Sequence, residues 1–319
     1  SVQIPERLQT FENESKLRLS FGSFVRYHDF EPELLLKRET WSGWKARARM
    51  APLPSDPDLN RLKAALVRAA QINGPREIVR MRNVVRQLRN SDISGALDSA
   101  GDSALSIHYR LWAKPCPDLG FSSIEDSFKR LSTNVSILAD LDEILEWAEA
   151  ETRVGGTVPG LPVSCTLELH SQYSITDISA ILKGATFASP GQKGTGVLHF
   201  KNIKAYALLI TYQKTEHDFS PSTMYADYPI SREMLHWESQ SVTRQNSETG
   251  QNLINHSKHG YSILIFARDI TKRNGVTVPF TFLGPAECVS YQSERPIRIV
   301  WRLTHPMPAE MFEENRRGG

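Results

Sequence analysis

The sequence predicts an α+β protein, with a helical first half over residues 1–152 and a mostly β second half over residues 163–319. Three observations predict it. Apolar residues recur at helical spacing between 59 and 150, a Gly/Pro-rich stretch interrupts the chain at 153–162, and β-rich runs at strand period follow. Leu59 to Ile72 and Pro75 to Leu88 read as two amphipathic helices split by Asn73-Gly74-Pro75, with the proline at a first helical position. In the second, Ile78, Met81, Val85 and Leu88 form one apolar stripe, while Arg82, Arg86 and Arg89 share another face. Ser123 with Asp126 reads as a capping box opening further helices that run to Ala150. After the RVGGTVPGLP boundary, Ser174 or Thr176 caps a short helix to Leu182. Ala205–Tyr212, Ser262–Ala267, Thr277–Leu283 and Ile297–Leu303 read as strands. In the last, Ile297, Ile299, Trp301 and Leu303 alternate with Arg298, Val300 and Arg302.

Composition narrows the classes of function. Of 319 residues, 40% are apolar and 23% charged, enough to build real cores and unlike a disordered tail or a collagen-like fibre. The longest clean apolar run, Ala205 to Ile210, is far short of the roughly 20 residues that span a bilayer. The opening SVQIPERLQTF carries no basic region followed by an apolar one, and the three cysteines (Cys116, Cys165, Cys288) have no CxxC spacing. Together these lead to the expectation of a reduced, cytoplasmic protein without a membrane segment. The net charge of +2 conceals a split: residues 1–100 carry an excess of five positive charges and residues 101–150 an excess of five negative ones. Arg61 to Asn90 holds eight basic residues against Glu77 alone. It reads either as a phosphate-facing surface or as a solvated helix face.

Catalytic motifs are missing. The sequence has no GxxxxGK[ST], HExxH or GxSxG, and Gly191–Gly196 leads into a strand where a phosphate-binding loop would lead into a helix. His256-Ser257-Lys258 matches half of an HxKxxxxD motif, but Ile263 stands where the acid is required. No metal-spaced Cys/His cluster exists. The expectation is a chain with no catalytic residue, no metal and no cofactor of its own.

The densest polar and aromatic segment is Thr211 to Ser241. Phe219, Tyr225, Tyr228, His236 and Trp237 interleave there with Lys214, Asp218, Asp227, Glu238 and Gln240. Rings outside strand or helix period, mixed with hydrogen-bonding groups, can stack on a nucleobase and read its edge. The alternative is that Trp237 and Tyr225 cap the core of the domain. Asp227, between Tyr225 and Tyr228, is placed to accept a hydrogen bond from a base edge, with Asp218 as second candidate or as a turn cap.

Beyond these single residues, a series of motifs resembles a known family. LLITYQKTEHDFSPSTMYADYPIS, LHWESQS, Gly250 with Ile254-Asn255-His256, ILIFARD, PFTFLGPAECVSY and RPIRIVWRLTHPMPAE occur in order after Tyr173-Ser174-Ile175. This order resembles the C-terminal domain of unknown function that follows superfamily II helicase cores in bacterial proteins. Restriction enzymes of the SauUSI type share that architecture, with a phospholipase-D-like nuclease at the N-terminus. Residues 11–150 resemble the helical segment between the motor and the C-terminal domain. The resemblance implies that the ATP- and Mg-dependent helicase and the nuclease are partners lying upstream. It further implies that this chain is a target-recognition part with an SRA/PUA-like barrel, binding modified double-stranded DNA by flipping a base, with 5-methylcytosine the expected target. The base-pocket candidates are Tyr225, Asp227, Tyr228, His236, Trp237, Gln240 and Asp218. The DNA-backbone candidates are Arg82, Arg86, Arg89, Lys214, Arg244 and Lys258. Two readings compete with this one: a protein-interaction or oligomerisation module of a helicase, and a nuclease with an atypical site.

Overall fold

The computed structural model describes residues 3–152, 156, 158, 161, 167–182, 196–213 and 227–316. It divides into two compact units, 1–154 and 155–319.

The first unit is helical throughout: α1 (Ile4–Ser15), α2 (Phe21–His28), α3 (Pro32–Arg38), α4 (Trp41–Arg47), α5 (Leu59–Ala70), α6 (Pro75–Arg89), α7 (Ile93–Ala100), α8 (Ala104–Trp112), α9 (Ile124–Ser132) and α10 (Val135–Glu151). Local chemistry starts several of them. The Ser20, Thr40, Asp92 and Ser123 side chains each accept a backbone N–H of the helix they precede, and Pro75 opens α6. At α9 the expected capping box is only half present. Ser123 accepts from the Asp126 N–H, but the Asp126 carboxylate bonds to Ser122 instead of reaching back to Ser123.

Helix α10 is the hub, packing against α2, α4, α5, α6 and α9. Ile137, Leu138, Leu141, Ile144 and Leu145 are buried on it and meet the α6 stripe of Ile78, Met81, Val84, Val85 and Leu88 in one core. Two of its acids serve the N-termini of distant helices. Glu143 accepts from the Phe21 N–H and the Trp41 indole N–H, both at 2.8 Å, and Asp140 accepts from the Ser42 N–H at 3.0 Å and its hydroxyl at 2.5 Å. A carboxylate facing a helix N-terminus satisfies orphan donors and complements the helix dipole.

The second unit contains β1 (Gln172–Tyr173), α11 (Ile175–Ile181), β2 (Val197–Phe200), β3 (Ala205–Thr211), β4 (Tyr228–Pro229), β5 (Met234–Glu238), α12 (Glu248–Ile254), α13 (His256–His259), β6 (Ser262–Arg268), β7 (Lys272–Arg273), β8 (Val276–Thr277), β9 (Phe280–Gln292), β10 (Arg298–Leu303) and α14 (Ala309–Asn315). Ser174 and Asp177 form a complete capping box on α11. The run expected as one strand over Thr277–Leu283 is two pieces. β8 ends at Thr277, Val278 and Pro279 intervene, and β9 continues to Gln292. The main sheet has the order β2-β3-β6-β9-β10-β5-β4, with β1 also on β9, and β7-β8 form a separate hairpin. β3 and β6 are parallel neighbours; the other pairs are antiparallel.

Sequence dictates how this sheet bends. β9 pairs with β6 through its first half and with β10 through its second, with register shifts in both ladders. Gly284 sits at the first shift with φ +92°, a conformation that glycine adopts without strain, and such a bulge turns a strand through a corner. Consequently Tyr206, Leu208 and Ile210 of β3 share one apolar cluster with Leu235 and Trp237 of β5, near the far end of the sheet order. The sheet curls around this cluster. Ala205, Ala207, Leu209, Leu264 and Phe266, on the opposite face of β3 and β6, meet Phe280, Phe282 and Tyr173 in a second cluster. β3 and β6 are thus buried on both faces, which accounts for their unbroken apolar runs. The mostly β expectation holds; among the described residues the strands follow an open path, and a closed barrel is not seen.

Candidate functional site

At the β5 end of the sheet the two faces differ in burial. On β5 Leu235 and Trp237 point into the core, while Met234, His236 and Glu238 are half-buried on the other side. Register sets their neighbours. His236 lies between Tyr228 and Val300, and Glu238 pairs with Arg298, which in turn pairs with Gln292. The Tyr228 ring stacks on His236 at 4.8 Å between centroids and 13° between planes. Asp227 Oδ1 accepts the Glu238 backbone N–H at 3.0 Å, and Arg298 Nε donates to Glu238 Oε1 at 3.1 Å. The result is a small aromatic platform, two rings stacked on each other with two carboxylates beside them. Such a surface can take a planar ring by stacking and can accept hydrogen bonds from its edge.

Tyr212 belongs to the same neighbourhood and was not singled out from the sequence. It follows β3, its hydroxyl is buried without a hydrogen-bond partner among the described residues, and burial followed by Asp227 and Asp269 pushes its phenol well up. Asp269 is held by Asn315 of α14 at 2.7 Å, and Gln213 donates to the same asparagine at 3.3 Å. The sequence signal for Tyr212 was its place in TYQK directly after an apolar strand, which the strand prediction absorbed as its last residue.

Several expected site residues lie elsewhere. Trp237 is 3% exposed, 6.4 Å from Trp301, and packs in the inner cluster. That is the core role weighed as its alternative, because strand alternation turns it away from His236. Gln240 is half-buried beyond β5, where its carbonyl accepts from the Ser239 hydroxyl and the Thr243 N–H. Arg244 and Lys258 are exposed, on the loop before α12 and on α13 respectively. Tyr225, Asp218 and Lys214 lie outside the described residues. The arginines expected on a phosphate-facing helix are ion-paired within their own unit. Arg82 pairs with Asp142, Glu146 and Glu149 of α10, while Arg86 and Arg89 both pair with Asp142. These arginines face the acidic side of α10, so the opposite charge excesses of 1–100 and 101–150 partly neutralise each other within the unit. That complementary pattern was the signal in the sequence that could have revealed the pairing. Among the described residues no group of His, Cys, Asp and Glu could hold a metal ion, and no helix is long and apolar enough to cross a membrane.

Residues 167–314 match the family described as domain of unknown function DUF3427. The matched range contains every element of the sheet and the whole platform. No curated protein matches the chain. Among solved structures, a crystal structure of Arabidopsis thaliana SUVH6 in complex with SAM aligns over 77% of this chain at 10% identity, with a TM-score of 0.28. The chain spans 40% of that protein's chain, and at such a score the likeness carries no argument about fold or function.

Proposed function

We propose that the second unit reads a modified base in double-stranded DNA, as the target-recognition part of a modification-dependent restriction enzyme of the SauUSI type. The observation that carries this reading is the half-exposed Tyr228–His236 stack flanked by Asp227 and Glu238 on the less buried face of β5. A flipped base needs a π surface and edge acceptors to offset an unstacking cost of a few kcal/mol. In this reading Tyr228 and His236 supply the surface, and the Asp227 carboxylate reads the edge. Helicase and nuclease are upstream partners, and ATP and Mg belong to them.

The test is a competition at fixed salt between duplexes carrying cytosine, 5-methylcytosine, 5-hydroxymethylcytosine or N6-methyladenine. One modified duplex should win. Asp227→Asn keeps an acceptor for the Glu238 N–H, so it isolates the reading role: the preferred duplex should lose about 1–3 kcal/mol of affinity and the plain duplex almost none. Equal losses on both duplexes, or none on either, remove Asp227 from recognition. Indifference of the wild type to all four bases removes the reading itself.

A further inference from the structure

The parallel pairing of β3 and β6 brings together two turns that are distant in sequence. Lys201–Ile203 forms a single 3-10 turn before β3, and α13 with Gly260 precedes β6. Since Ala205 pairs with Ser262 in parallel, both turns emerge at the same end of the sheet. Two hydrogen bonds join them: the Ser262 N–H donates to the Lys204 carbonyl at 2.8 Å, and the Lys204 ammonium donates to the His259 carbonyl at 3.5 Å. Lys201, Lys204, Lys258 and His259 are all exposed there, with Asn202 and Ser257 beside them. Neither 196–213 nor 255–262 contains an acidic residue, and none of the three lysines is in an ion pair among the described residues. Glu248 of α12 is the acid that acts on His199 at this corner, and Glu287 the one that acts on His256.

The corner is also rigid. His256 is buried and held at both ring nitrogens: Nε2 accepts the Cys288 N–H at 3.2 Å, which leaves Nδ1 to donate to the Tyr261 carbonyl at 3.2 Å. Burial lowers its pKa, in keeping with a neutral ring in that tautomer. The His199 ring stacks on Tyr206 at 4.2 Å and shares a hydrogen bond of 3.2 Å with the Tyr261 hydroxyl. Lysines carried on a fixed scaffold and unmatched by acid are the feature that neutralises phosphates, and an adjacent amide and hydroxyl are further phosphate-contacting groups.

We infer that Lys201, Lys204 and Lys258 form a phosphate-backbone surface for duplex DNA, taking the role that the sequence suggested for the arginine helix. The inference rests on the DNA-reading function proposed above. It is tested with the whole chain carrying Lys201→Gln, Lys204→Gln and Lys258→Gln together, titrated with a plain and a 5-methylcytosine duplex over a range of salt. Thermal melting should match the wild type, because all three side chains are exposed. Affinity should fall equally for both duplexes, and the slope of log affinity against log salt should drop by about two to three, near 0.9 per lost phosphate contact. A wild type that prefers the modified duplex, with an unchanged slope in the variant, overturns the lysine surface and keeps the base-reading proposal. A wild type that binds both duplexes alike, with a slope that the variant flattens, keeps the surface and overturns base reading. Absence of any DNA binding overturns both.

Discussion

Asp142 is the point at which the helical unit concentrates its charge pairing, and replacing it with Asn tests the structural role of the α6 arginines. One oxygen meets Arg82 Nε at 3.3 Å and Arg86 Nε at 3.6 Å, and the other meets Arg89. The Asp142 and Arg82 side chains are 18% and 13% exposed, whereas Arg86 and Arg89 are about half exposed. Exposed pairs are typically worth about 0.2–1 kcal/mol, and breaking a fully buried pair costs about 3–5 kcal/mol. Two half-exposed contacts and one more enclosed contact place Asp142→Asn at about 2 kcal/mol, below the buried limit because Arg82 keeps Glu146 and Glu149. For a unit of this size that corresponds to about 4–8 °C in Tm. Urea unfolding followed by far-ultraviolet circular dichroism reads the helical unit, and the loss should shrink in high salt as the exposed pairs are screened. A change below about 0.5 kcal/mol would refute the network as a stabilising element. Arg82→Gln, Arg86→Gln and Arg89→Gln combined should destabilise the unit and leave the salt slope of DNA binding unchanged. A slope lower by about three would return these arginines to the phosphate backbone.

Asp140 should impose a pH dependence of its own. Burial outweighs its hydrogen bonds from Ser42 and raises its pKa from 3.8 to about 7. Between those values the folded chain keeps a proton that the unfolded chain releases, so this contribution is complete below about pH 4 and lost as pH rises through 7. At about 1.4 kcal/mol per pK unit, and with about two of the three units falling in this window, the stability of Asp140→Asn relative to wild type should improve by about 2.5–3 kcal/mol between pH 5 and pH 8; parallel urea curves across that range would contradict this. Trp237→Ala should empty a large volume beside Trp301 and cost about 3–5 kcal/mol in stability, and a fully stable variant that lost only base discrimination would place the ring in the pocket after all.

Local signals were read well and long-range ones poorly. The amphipathic stripe and Pro75 gave α6 to within one residue at its end, and Ser174 gave α11, since capping and helical period act within a few residues. Alternation in Ile297–Leu303 identified β10 and its buried face correctly. The partner of each strand was not legible, because an apolar run such as Ala205–Ile210 fits either face of any sheet. The parallel β3–β6 pairing and the corner at Gly284 therefore emerge only in three dimensions. In the site, the Tyr228–His236 stack depends on a β4–β5 register that neither residue type announces. Trp237 was weighed as pocket or core, and only the neighbouring strand decides between them. The ion pairing of the arginines was not legible because charge density is visible in one stretch of sequence, while their carboxylate partners lie 53–67 residues further on, in α10.

The parallel β3–β6 pair also shapes how this domain reaches its native state. β3 is seven consecutive uncharged residues, every one buried, and its neighbour β6 is made only after β4, β5, α12 and α13 have been synthesised. A β-rich window of that length, waiting for a distant partner, is the kind of segment that self-associates while folding is incomplete. Lys201 and Lys204 stand immediately before it, where charge discourages edge-to-edge association of nascent chains. Lys201 and Lys204 thus occupy the gatekeeper position of this strand, and a variant lacking both should be compared with the wild type for soluble yield as well as for DNA affinity.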